Sequence, residues 1–80
     1  MIKIQILGMG CAKCARLYAA VETAAKELGI EYEMEKVDDI DRITERGVMM
    51  TPALVINDEV KFAGRVPSLE DLKKIILAAK

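Results

Sequence analysis

The apolar residues change period once within the first 28 positions, and the change falls on a pair of cysteines. Ile2, Ile4 and Ile6 alternate with Lys3 and Gln5, and Leu7 follows, which is the period-2 signature of a strand over residues 2–7. From about Ala12 to Leu28 the apolar positions are Leu17, Val21, Ala24 and Leu28, with Tyr18 and Ala25 beside them. That is helical spacing, and Gly29 is a natural stop. The junction reads Gly8-Met9-Gly10-Cys11-Ala12-Lys13-Cys14-Ala15-Arg16. Gly8 and Gly10 break the strand and shape a tight loop into the cysteines.

The remaining chain repeats this alternation. Ile30, Tyr32 and Met34 alternate with Glu31, Glu33 and Glu35, then Lys36-Val37 follow, giving a second strand whose acidic outer face suits a sheet edge. A strand–helix–strand unit makes these two strands parallel, joined by a right-handed crossover. Asp38 or Asp39 can cap a short helix carrying Ile40 and Ile43 and ending near Gly47. Ala53-Leu54-Val55-Ile56 reads as a buried strand. Asn57-Asp58 is a turn, and Val60-Lys61-Phe62-Ala63 is its antiparallel return, closed by Gly64. Ser68, with Asp71 three residues on, caps a last helix whose apolar face is Leu69, Leu72, Ile75, Ile76 and Ala79. The expected order is βαβαββα, an α/β chain forming a single domain over residues 1–80.

A core this small must turn most of its apolar residues inward. With 52% hydrophobic residues but only 4% aromatic, that interior is aliphatic. A net charge of −1, with no basic stripe, argues against nucleic acid as a partner. No apolar run reaches the roughly 18 residues of a membrane span. The N-terminal residues do not read as a secretory signal, so a cytoplasmic location is expected. Two cysteines are too few for a secreted disulfide scaffold and point instead to redox or metal chemistry.

Cys11 and Cys14 stand at i and i+3, on one face of a first helical turn, within reach of a disulfide. Unpaired N–H groups and the positive end of the helix dipole stabilise a thiolate there. Cys11, nearer the helix end, is assigned as the attacking thiolate and Cys14 as the resolving one. Lys13 would add positive potential if it turned toward the sulfurs. The rival reading is a Cu(I) or other soft-metal site on Cys11 and Cys14, because Gly8-Met9-Gly10-Cys11-Ala12-Lys13-Cys14 resembles the loop of heavy-metal-associated copper chaperone domains. That resemblance implies a βαββαβ order ending in a strand. A third reading is a non-enzymatic redox-sensing module that docks a partner in one oxidation state only.

Thr51-Pro52 opens the third strand with a residue that donates nothing to a ladder. With the cysteine pair, it makes the whole chain resemble the thioredoxin/glutaredoxin superfamily, in particular its small redox-active disulfide proteins. The resemblance is carried by the first strand, by Gly10-Cys11-Ala12-Lys13-Cys14, by Thr51-Pro52-Ala53-Leu54-Val55 and by Gly64-Arg65-Val66-Pro67-Ser68. It implies a four-stranded mixed sheet in order 2-1-3-4 with helices on both faces. It implies a cis Thr51–Pro52 bond beside the disulfide, and a Thr51 backbone that pairs with an extended substrate segment. By the same match Met9, Gly10, Met50 and Val66 would rim the site, and Arg65 could meet a carboxylate. The activity implied is that of a dithiol–disulfide oxidoreductase acting, as a monomer, on protein disulfides. No flavin or nucleotide motif is present, so no cofactor is expected and electrons would come from an external reductase or dithiol.

Overall fold

The computed structural model describes residues 1–9 and 12–79. The elements follow in the order β1 (Ile2–Leu7), α1 (Ala12–Leu28), β2 (Tyr32–Val37), α2 (Ile40–Glu45), β3 (Ala53–Ile56), β4 (Glu59–Ala63) and α3 (Leu69–Ala79). The four strands form one mixed sheet in the order β2-β1-β3-β4. β1 is parallel to β2 and antiparallel to β3, which is antiparallel to β4. This is the topology that the resemblance implied, and not the βαββαβ order of the copper chaperones.

Strand alternation divides the interior in two. Ile2, Ile4 and Ile6 of β1, with Leu54 and Ile56 of β3, face α1 and α3, where they meet Leu17, Val21, Leu72 and Ile76. Leu7, Val37, Ala53 and Val55 face the other way and close on Ile43 of α2 and on Val48. The first face is covered by two helices of 17 and 11 residues, the second by one of six.

Local signals set the boundaries. Gly29 takes φ +67° and closes α1 with a hydrogen bond from its N–H to Lys26 O. Asn57 and Asp58 have φ 51° and 68°, as a two-residue type I′ hairpin turn requires. Asn57 also exchanges bonds with the Lys3 backbone, its N–H donating to Lys3 O at 2.8 Å and its Oδ1 accepting from Lys3 N–H at 2.9 Å. Of the two possible caps for α2, Asp39 is used, its Oδ1 accepting from Asp41 N–H at 2.9 Å. Ser68 Oγ accepts from Asp71 N–H at 3.3 Å and starts α3.

Four expectations need correction. β2 begins at Tyr32 rather than Ile30, because Tyr32 pairs with Ile2, the first residue of β1, and the ladder ends there. β4 begins one residue earlier than expected, at Glu59, which pairs with Ile56 across the tight turn. Ile40 and Leu69 are not core residues: each opens its helix at the sheet's end and is 59% and 36% exposed, respectively. Nor does Glu35 lie on a purely solvated edge face. It shares a face with Gln5 and is gripped by it and by Arg42.

Candidate active site at the end of β1 and β3

Three chain segments meet at one end of the sheet. Leu7, which ends β1, pairs with Ala53, which begins β3, and Ala53 pairs with Ala63, which ends β4. The loop after β1, the Thr51–Pro52 segment before β3 and the Gly64–Ser68 segment after β4 therefore share that end. The β3 and β4 segments are tied by a hydrogen bond from Gly64 N–H to Pro52 O at 2.8 Å.

Cys14 occupies the first turn of α1, is 1% exposed and is disulfide-bonded. The sequence holds one other cysteine, Cys11, which lies with Gly10 outside the described residues. The Cys14 sulfur packs against the backbone of Gly8. Lys13, beside it, is exposed.

The Thr51–Pro52 peptide bond is cis. Pro52 is buried and Thr51 exposed, so the segment turns a residue to solvent just before β3 goes under cover. Thr51 makes no hydrogen bond with any of the described residues. Met50 lies over Gly64, whose φ is +81°. A side chain there would meet Met50 Cβ, Cε and Sδ at 3.1–3.3 Å, so glycine suits both the turn and the contact.

Met9, Met50 and Val66, the residues expected to rim the site, are 57%, 64% and 36% exposed. Sequence reasoning missed the extension of this rim. Met49 is 94% exposed and, with Met9, Ile40, Val48 and Thr51, lines an apolar groove that runs from Thr51 along α2. The signal was the Val48-Met49-Met50 run, three apolar residues in a row before a proline. Such a run cannot all be buried in a short connection. Arg65 is exposed, and its guanidinium stacks over the Phe62 ring, 5.4 Å from the centroid.

The thioredoxin domain family matches the chain over residues 2–77. The chain belongs to that family. A thioredoxin of Methanothermobacter thermautotrophicus is 47% identical over 76 residues, covering 95% of this chain and 99% of its own length. A thioredoxin of Methanocaldococcus jannaschii is 42% identical over 74 residues, with coverage of 92% and 85%. Among solved structures, the thioredoxin-2 of a malaria parasite superposes with a TM-score of 0.76. It is 16% identical over 98% of this chain and 82% of its own, so it speaks for the fold. Thioredoxins are thiol–disulfide oxidoreductases, and that is the family chemistry into which the Cys14 disulfide falls. No helix among the described residues is long and apolar enough to cross a membrane.

Proposed function

We propose that the chain reduces disulfides of other proteins through reversible closure of a Cys11–Cys14 bond. The observation that carries this reading is a disulfide-bonded Cys14 in the first turn of α1, at the sheet end that also holds Thr51–Pro52. In the reduced state the Cys11 thiolate attacks one sulfur of the substrate disulfide. A mixed disulfide forms and the first substrate thiolate leaves. Cys14 then loses its proton and attacks Cys11 Sγ, closing the internal disulfide and expelling the second substrate thiolate. Two electrons pass from the protein to the substrate, and two protons go with them. An external dithiol or reductase returns the electrons, and no bound cofactor takes part.

Burial supports this division of labour. The 1% exposure of Cys14 suits a sulfur that meets only an intermediate already held in the site. A thiolate at a helix start is the better attacking group. The backbone of Thr51 would pair with an extended segment of the substrate, and Met9, Met50 and Val66 would receive its apolar side chains. The protein would work as a monomer in the cytoplasm, with protein disulfides rather than nucleic acid or membrane as its partners.

Insulin-disulfide reduction driven by dithiothreitol tests the assignment. Cys11→Ser abolishes turnover, and Cys14→Ser accumulates mixed disulfides. Full activity in Cys11→Ser would overturn the reading.

A further inference from the structure

Gly8 follows the last residue of β1, and its N–H donates to Val37 O at 2.9 Å, so the β1–β2 ladder fixes its place. It is not among the glycines with positive φ. Backbone freedom therefore does not account for glycine here, although the sequence suggests a loop-shaping role. Space does account for it. A Cβ on Gly8 would overlap Cys14 Sγ and come within 3.0 Å of Cys14 Cβ. Cys14 Cβ is set by the α1 backbone and cannot swing aside. Cys14 is 1% exposed, and its sulfur is held in a disulfide.

We infer that Gly8 is a positioning residue for the resolving thiol, its bare Cα forming the seat on which Cys14 Sγ rests. This rests on the reading of Cys14 as the resolving cysteine. In that step the Cys14 thiolate forms a bond to Cys11 Sγ, the bond from Cys11 Sγ to the substrate sulfur breaks, and the substrate thiolate takes up a proton. Displacement at sulfur depends on access and on which sulfur is reached. A methyl group on Gly8 takes the volume the Cys14 sulfur needs and forces it off that seat. A misplacement of about 1 Å can slow a positioned reaction on the order of 100-fold. The first attack, by Cys11, does not require Cys14 to sit there.

The experiment follows the mixed disulfide directly. Reduced wild-type protein and Gly8→Ala are mixed with a chromogenic aromatic disulfide. Release of the first thiolate reports attack, and release of the second reports resolution. Gly8→Ala is expected to keep the first phase and to slow the second by about tenfold or more, a barrier rise of at least roughly 1.4 kcal/mol. A second phase at the wild-type rate would overturn the inference.

Thermal melting of Gly8→Ala, Cys14→Ala and the double variant covers the case in which Gly8→Ala does not fold. The Tm loss caused by Gly8→Ala is expected to shrink by at least half when the Cys14 sulfur is absent. An undiminished loss would place the clash elsewhere and overturn the inference. Failure of Cys11→Ser to abolish the first phase would instead strike the proposed function and leave the melting result to judge the seat.

Discussion

Arg46→Ala sets a short ion pair against a longer neutral hydrogen bond. Arg46 Nη2 donates to Asp58 Oδ1 at 2.7 Å and to Gln5 Oε1 at 3.0 Å, and Nη1 donates to Asp58 O at 3.2 Å. Distance ranks Asp58 first; burial reverses the order. The Asp58 side chain is 73% exposed, so water replaces Arg46 with little loss. Gln5 is 3% exposed and is the one buried polar residue among those described. Without Arg46 its Oε1 loses a donor in the protein interior, a loss of about 1–3 kcal/mol. The cleft beside it, lined by Leu7, Val37, Arg42 and Glu45, admits water, which puts the expected value at the low end, about 1 kcal/mol. For a chain of this size about 1 kcal/mol corresponds to a drop in Tm of roughly 4–8 °C. Urea denaturation of Arg46→Ala, Gln5→Leu, Asp58→Ala and the two double variants separates the terms. The coupling of Arg46 to Gln5 is expected to be about 1 kcal/mol, and its coupling to Asp58 close to zero. A coupling to Asp58 equal to or larger than that to Gln5 would refute the ranking by burial.

Two further outcomes are expected. Arg42, donating at 3.0 and 3.3 Å, holds the Glu35 carboxyl near a pKa of about 2, with help from Gln5, against an ordinary 4.5. A lowered pKa stabilises the fold above the ordinary value and is lost as pH falls toward the folded one. Urea midpoints should therefore decline between about pH 4.5 and 2. Arg46 lowers Asp58 in the same sense, so Glu35→Gln should flatten the decline without abolishing it; an unchanged slope would count against the Arg42 pair. At the site, Met50→Asp places a charge on a rim residue that is 64% exposed. It should raise KM for insulin reduction about tenfold, equal to about 1.4 kcal/mol of lost apolar contact, with Tm held within a few degrees. A change in kcat alone would remove Met50 from substrate docking.

The elements of this chain were legible because their signals are local. The Ile2-Ile4-Ile6 alternation, Gly29 after Leu28, Asn57-Asp58 between two apolar runs and Ser68 before Leu69 each depend on neighbours a few residues away. What escaped depends on residues brought together by the sheet. Gln5 looked like an outward strand residue, yet it is buried by partners 30 and 41 positions away, Glu35 and Arg46. Ile40 looked like a core residue because its helix is short and its apolar spacing correct; it opens that helix at the sheet's end, beside the groove. Gly8 carried a glycine's ordinary turn signal, and only the packing of α1 against the end of β1 reveals a steric requirement. For the site, Thr51–Pro52 and the cysteine pair were visible as motifs. The apolar extension through Met49 showed only as the Val48-Met49-Met50 run, which does not mark which of its residues turns to solvent.

The unequal cover of the two sheet faces has a mechanical consequence. The face under α1 and α3 is sealed by long helices, whereas the opposite face relies on six residues of α2 and the cluster around Ile43 and Val48. Few buried contacts make a segment the first to open. The thin side is the weaker one: the stretch from Asp39 to Thr51 is expected to open before the sheet and the two long helices do, which amide hydrogen exchange would read directly.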